Sequence, residues 1–146
     1  MKLYTIGCTH KSAKEFFDLL RDNGVQRLVD IRLRPSGQLA GFARKEDLPY
    51  FLDQLAGGCR YIHKPELAPT KEILDKYRSG GSWSHYVESF EALMDERSIP
   101  QALERGDFER YTSCLLCSEA TPEQCHRRLV AERLQAAWLN VDLIHL

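Results

Sequence analysis

An excess of charge of either sign is missing from this chain of 146 residues, whose formal net charge is -1. The molecule as a whole therefore exerts no general pull on nucleic acid or on an anionic membrane, and any anion site must be local. Long apolar runs are missing too, and no stretch approaches the roughly 20 residues that cross a bilayer. Low-complexity tracts are absent. The start, Met1 to Ile6, passes directly into a strand-like run without the apolar segment and small-residue cleavage site of a secretory signal. Cysteine is sparse and odd in number, with five residues scattered through a chain large enough to build its own core, so reduced thiols in a cytoplasm are expected rather than a disulfide scaffold. Hydrophobic residues at 43% and charged residues at 28% are ordinary for a globular protein, and the length predicts one domain over 1–146.

Strand-like and helix-like segments alternate along the chain. Lys2 to Ile6 reads as a strand, and Ser12 with Glu15 as a capping box opening a helix that Asn23-Gly24 closes. A second strand is predicted from Arg27 to about Arg34, where period two would put Asp30, Arg32 and Arg34 on one side. A loop over Ser36 to Gly41, a helix from about Glu46 to Leu55 and a strand over Cys59 to His63 follow. Helices are predicted over 70–77 and 82–96, parted by Gly80-Gly81, with Trp83, Tyr86, Phe90, Leu93 and Met94 on one face of the longer one. Tyr111 to Cys117 reads as a strand buried on both sides. Thr121-Pro122-Glu123-Gln124 forms a second capping box, predicting a helix from there to about Trp138, and Val141 to Leu146 reads as a last strand. This order predicts a three-layer α/β fold, Rossmann-like, with a mainly parallel sheet of about five strands and helices on both faces. Ligands in such folds bind at the carboxyl ends of the strands.

The chemistry concentrates at one strand-to-helix junction, Cys114 to Arg128. Cys117 or Cys125 could act as a nucleophile, with His126 or His10 as base and Glu119 as orienter or acid. A helix start near Thr121 would stabilise a thiolate at Cys125 or a bound phosphate, with Arg127 able to grip two of its oxygens. Arg32, Arg34, Lys64 and Arg127 could line a pocket for a phosphorylated small molecule, a nucleotide or a nucleic-acid end, with Gly7, Asp30 and His63 beside them. No cofactor is assigned; a metal bound by Cys8, His10, His63, Cys117, Cys125 and His126 would be zinc or iron, because mixed thiolate and imidazole donors suit those ions. Cys59 and Cys114 read as small core residues. Asp30 with Arg32 and Arg34 has a plainer reading as an ion pair at a strand end.

Thr5-Ile6-Gly7, Val29-Asp30-Ile31-Arg32 with Pro35-Ser36, Tyr61 and His63 before Pro65, and Cys117-Ser-Glu119 with Cys125-His126-Arg127 together resemble the domain-of-unknown-function family designated four-eighty-eight. The resemblance runs from about Leu3 to the C-terminus and places Gly7, Asp30, Arg32, Pro35, His63, Cys117, Glu119, Cys125, His126 and Arg127 on that family's signature positions. It departs at Cys8-Thr9-His10, where a small residue and a serine are expected. It implies a small cytosolic α/β protein and no particular activity. The sequence thus points to an enzyme with a Cys117, Glu119, Cys125 and His126 site acting on an anionic ligand. The alternative is a non-catalytic metal- or anion-binding sensor module.

Overall fold

In a computed structural model the backbone is described over residues 1–146 and the side chains over all but residues 38–40. The elements in order are β1 (Lys2–Gly7), α1 (Ala13–Asp22), β2 (Arg27–Asp30), α2 (Leu48–Leu55), β3 (Arg60–His63), α3 (Lys71–Arg78), α4 (Trp83–Glu96), α5 (Arg105–Arg110), β4 (Ser113–Cys117), α6 (His126–Ala137) and β5 (Asp142–His145), with 3₁₀ turns over Gln38–Ala43 and Pro65–Leu67. All five strands are parallel, in the order β3-β2-β4-β1-β5. No described helix is long and apolar enough to cross a membrane.

The period-two rule sorts the sheet into two cores. Tyr4, Ile6, Leu28, Cys114 and Leu116 face α1 and α2, where they meet Phe16, Phe17, Leu20 and Leu52. Leu3, Val29 and Leu115 face the other way, onto Phe90 and Met94 of α4 and Val130 and Leu134 of α6. β4 is covered on both sides, which explains its uninterrupted apolar run. Parity also separates its cysteines. Cys114 points into the α1/α2 core, whereas Cys117, three positions later, falls on the α4/α6 side.

The chain runs outward from β1 to β2 and β3, then returns to insert β4 between β2 and β1. The carboxyl ends of β1, β4 and β2 thereby become neighbours. Cys8 N–H donates to the Cys117 carbonyl at 3.2 Å and Ile31 N–H to the Leu116 carbonyl at 3.1 Å, so pairing continues just past the strands.

Four expectations are corrected. β2 ends at Asp30 rather than near Arg34, because the Asp30 carboxylate accepts the Arg32 backbone N–H at 3.1 Å and turns the chain out of the ladder. Asp30, Arg32 and Arg34 therefore do not share a strand face. The segment read as a loop over Ser36 to Gly41 enters 3₁₀ geometry from Gln38. The last helix begins at His126 with Cys125 as its N-cap, four residues later than the Thr121 capping box predicts. Buried Arg127 binds the Glu119 and Ala120 carbonyls and holds the intervening segment in turns.

Candidate functional site

A cleft of about 140 Å³ opens over the carboxyl ends of β2 and β4, between the start of α6 and the helices α3 and α4. Its inner end holds Cys117, Cys125 and His126, and Glu119 stands at the edge with its side chain exposed. Arg32 and Arg34 line one side.

Local bonding determines what His126 can do. Its Nε2 lies 2.7 Å from the Ile31 carbonyl oxygen, an acceptor with no proton to give, so Nε2 carries the hydrogen. Nδ1 is then the nitrogen turned toward Cys117, and it faces Sγ at 3.4 Å. Phe90 packs against the imidazole with ring centroids 5.7 Å apart and restrains its tilt. The orienter of the base is thus a backbone carbonyl and not Glu119.

The Cys117 thiol is held below its ordinary pKa, chiefly by a hydrogen bond from the Cys125 thiol. Burial opposes this, and the Glu119 and Ser118 backbone N–H groups and the Arg127 charge reinforce it. Cys125 is pushed the opposite way, because it donates to Cys117 and is itself buried. Within the pair Cys125 is the donor and Cys117 the acceptor, so Cys117 is the more acidic of the two thiols. The thiol whose acidity is enhanced is therefore Cys117 and not Cys125, the reverse of the expectation.

Arg127 is fully buried and does not line the cleft. One guanidinium nitrogen donates to the Glu119 carbonyl and another reaches the Ala120 carbonyl at 3.5 Å. It clamps the loop after β4 instead of offering its fork to a ligand, which corrects its expected place in an anion pocket. Gly7 belongs to the same clamp. A Cβ there would stand 1.7 Å from the Glu119 carbonyl oxygen, so only glycine permits this approach.

Arg32 touches the cleft, yet its guanidinium is engaged with Asp30 at 2.9 and 2.7 Å and with the Ala43 carbonyl at 2.6 Å. Asp30 is fully buried and also accepts from Tyr61 at 2.6 Å. The plain ion-pair reading holds for Asp30 with Arg32 and fails for Arg34, which is exposed. His63 donates to the Arg32 carbonyl at 2.9 Å and Lys64 pairs with Glu66 at 3.3 Å; neither lines the cleft. Cys8 packs with the α1/α2 core and His10 is exposed, away from the cleft.

Of the expected metal donors, Cys117, Cys125 and His126 have ligating atoms within 4.8 Å of one another. Cys8, His10 and His63 do not join them. The three could hold a zinc or iron ion with one position open to the cleft, and the Ile31 carbonyl would orient the histidine as such a site requires.

The opposite wall consists of residues that motif reasoning passed over: Tyr77 and Arg78 at the end of α3, and Trp83 and Tyr86 on the first turns of α4. The apolar face of α4 marked Trp83 and Tyr86 as packing residues, and nothing in their spacing showed that their outer edge stays open. Phe90 and Met94 are core, and Tyr86 is buried against them.

The fold and this cleft define a parallel three-layer α/β protein with polar groups gathered where the carboxyl ends of its central strands meet. The chain belongs to the family described as Domain of unknown function DUF488, whose model matches residues 12–134. No curated protein and no solved structure matches it.

Proposed function

We propose that the protein is a cytosolic enzyme in which Cys117 is the nucleophile, His126 its base, and the substrate an anionic molecule drawn to the cleft by Arg34 and Arg78. The observation that carries this reading is the chain from Ile31 carbonyl to His126 to Cys117 Sγ, which ends at the cleft. A fixed tautomer with its free nitrogen on a thiol is what activates a cysteine for attack. Cys125 and the Ser118 and Glu119 N–H groups support the thiolate. In the attack, the Cys117 proton passes to His126 Nδ1, sulfur bonds to an electrophilic centre, and the leaving group departs with its electron pair and takes that proton from the His126 imidazolium.

Iodoacetamide labelling followed by peptide mapping tests this. Cys117 is expected to be alkylated faster than free glutathione at pH 7, since a depressed pKa raises the thiolate fraction. Labelling of Cys117 no faster than that of a free thiol would overturn the assignment.

The proximity of Cys117, Cys125 and His126 donors supports a second reading, a metal-binding sensor module. Elemental analysis of protein purified without chelator separates the two. About one equivalent of zinc or iron, lost on Cys117→Ser, would replace the thiol reading with this one.

A further inference from the structure

The wall facing Cys117 and His126 is an aromatic platform left partly open. Trp83 and Tyr86 stack at 5.0 Å with 13° between their planes, and Tyr77 packs against them at 5.7 and 5.1 Å. Tyr86 rests in turn on Phe90 at 6.0 Å. Burial falls along this stack: Phe90 and Tyr86 are buried, while Trp83 and Tyr77 are only half-buried and contribute surface to the cleft. Tyr77 hydroxyl donates to Gln124 Oε1 at 3.1 Å, which aims the amide and leaves its NH₂ without a partner among the described residues. At the rim, exposed Arg34 and Arg78 form no ion pair among the described residues, and Glu119 is the one acidic side chain in the lining. A cleft of about 140 Å³ admits a single planar ring system and little more, so an attached charged group must lie at the rim.

We propose that the cleft binds a nucleotide, its base stacked on Trp83 with Tyr77, inclined at 63° to that ring, at its edge and Gln124 as a hydrogen-bond partner, and its phosphate held by Arg34 and Arg78. Stacking on aromatic side chains contributes about 1–3 kcal/mol per base and suits any base, and the arginine fork matches phosphate oxygens. The net charge of -1 disfavours tracking a long backbone, so the site takes one nucleotide, free or at a strand end. This names the substrate class of the thiol reading and rests on it only for what happens to the bound molecule.

Isothermal titration calorimetry of the full chain tests the site with AMP, GMP, CMP and UMP, with adenosine, with ribose 5-phosphate, and with a five-residue oligonucleotide. At least one mononucleotide is expected to bind, with adenosine and ribose 5-phosphate each at least about tenfold weaker, as losing one of two contacts worth 1.4 kcal/mol requires. Arg78→Ala and Trp83→Leu are each expected to weaken the mononucleotide at least about tenfold, and Trp83→Phe, which keeps the stacking face and guards against a folding artefact, to leave it within about threefold. Tighter binding of the oligonucleotide, still dependent on Arg78, upholds the proposal with a strand end as source. No binding by any mononucleotide or the oligonucleotide up to about 1 mM overturns it, as does ribose 5-phosphate matching AMP, which would mean an anion site without base recognition. Cys117 labelling without nucleotide is read separately: fast labelling without nucleotide binding sinks this proposal alone, and nucleotide binding with slow labelling sinks the thiol reading alone.

Discussion

His126 donates from Nε2 to the Ile31 carbonyl at 2.7 Å, and that bond leaves Nδ1 as the nitrogen that meets Cys117 Sγ at 3.4 Å. Ile31 is itself anchored by its N–H to the Leu116 carbonyl on β4, one residue before Cys117. The imidazole and the thiol are therefore positioned from the same strand end. His126→Gln removes the proposed base while keeping a polar side chain of similar reach. Cys117 alkylation at pH 7 is expected to slow about tenfold for each unit by which its pKa rises. An unchanged rate, measured by peptide mapping over time, would remove His126 from the role.

Gly7 and Gly24 separate two costs of adding a methyl group. At Gly7 the added Cβ collides with the backbone carbonyl of Glu119, which Arg127 holds in place, so neither side can retreat. Gly7→Ala is expected to cost about 3 kcal/mol or prevent folding, the upper end for overpacking. At Gly24, with φ +65°, no atom lies near, and only backbone strain of about 1 kcal/mol is expected from Gly24→Ala. Urea midpoints of the two variants test the order, and equal losses would show that the loop after β4 yields.

The Asp30 carboxylate satisfies Arg32 through two nitrogens, accepts the Arg32 backbone N–H and receives the Tyr61 hydroxyl. Asp30→Asn strands the buried guanidinium of Arg32 without its counter-charge. The expected loss is about 3–5 kcal/mol, the range for breaking one side of a buried pair. Urea unfolding decides it, and a loss under about 1 kcal/mol would mean that water reaches Arg32.

Burial pushes the Cys59 thiol up to about 12 from its ordinary 9.0. Below pH 9 both folded and unfolded chains keep this proton, and its stabilising share is fully present. Above pH 9 the unfolded chain ionises first, so stability is lost at about 1.4 kcal/mol per pH unit until the folded thiol titrates. Cys59→Ala removes this slope. Between pH 8.5 and 10.5 the wild type is expected to lose about 2 kcal/mol more than the variant in urea unfolding. Parallel losses would show that Cys59 is exposed on this time scale.

The elements were legible because each is written locally. Ser12 caps α1 as its spacing with Glu15 predicts, and the Cys114-Leu115-Leu116 run forms a strand covered on both faces. The start of α6 was misplaced for a reason no local rule contains. The Thr121 to Gln124 pattern has the composition of a capping box, but the Arg127 guanidinium draws the Glu119 and Ala120 carbonyls toward itself and delays the helix to His126. Arg127 likewise departs from expectation, while Arg34 lines the cleft as expected. Nothing in two arginine letters distinguishes a fully buried clamp from an exposed side chain on the cleft.

Capping residues, apolar period and alternating order, all interactions within a few residues of one another, determined by themselves that this chain forms alternating strands and helices and places its reactive residues at one junction. Tertiary structure alone decided that β4 enters between β2 and β1, because that choice depends on burying two apolar faces at once. From that insertion follow the meeting of His126 with Ile31 and Cys117, the approach of Cys125 to both, and the aromatic wall of α3 and α4 across the cleft. These are contacts between residues up to 95 positions apart, set by packing that no local pattern encodes.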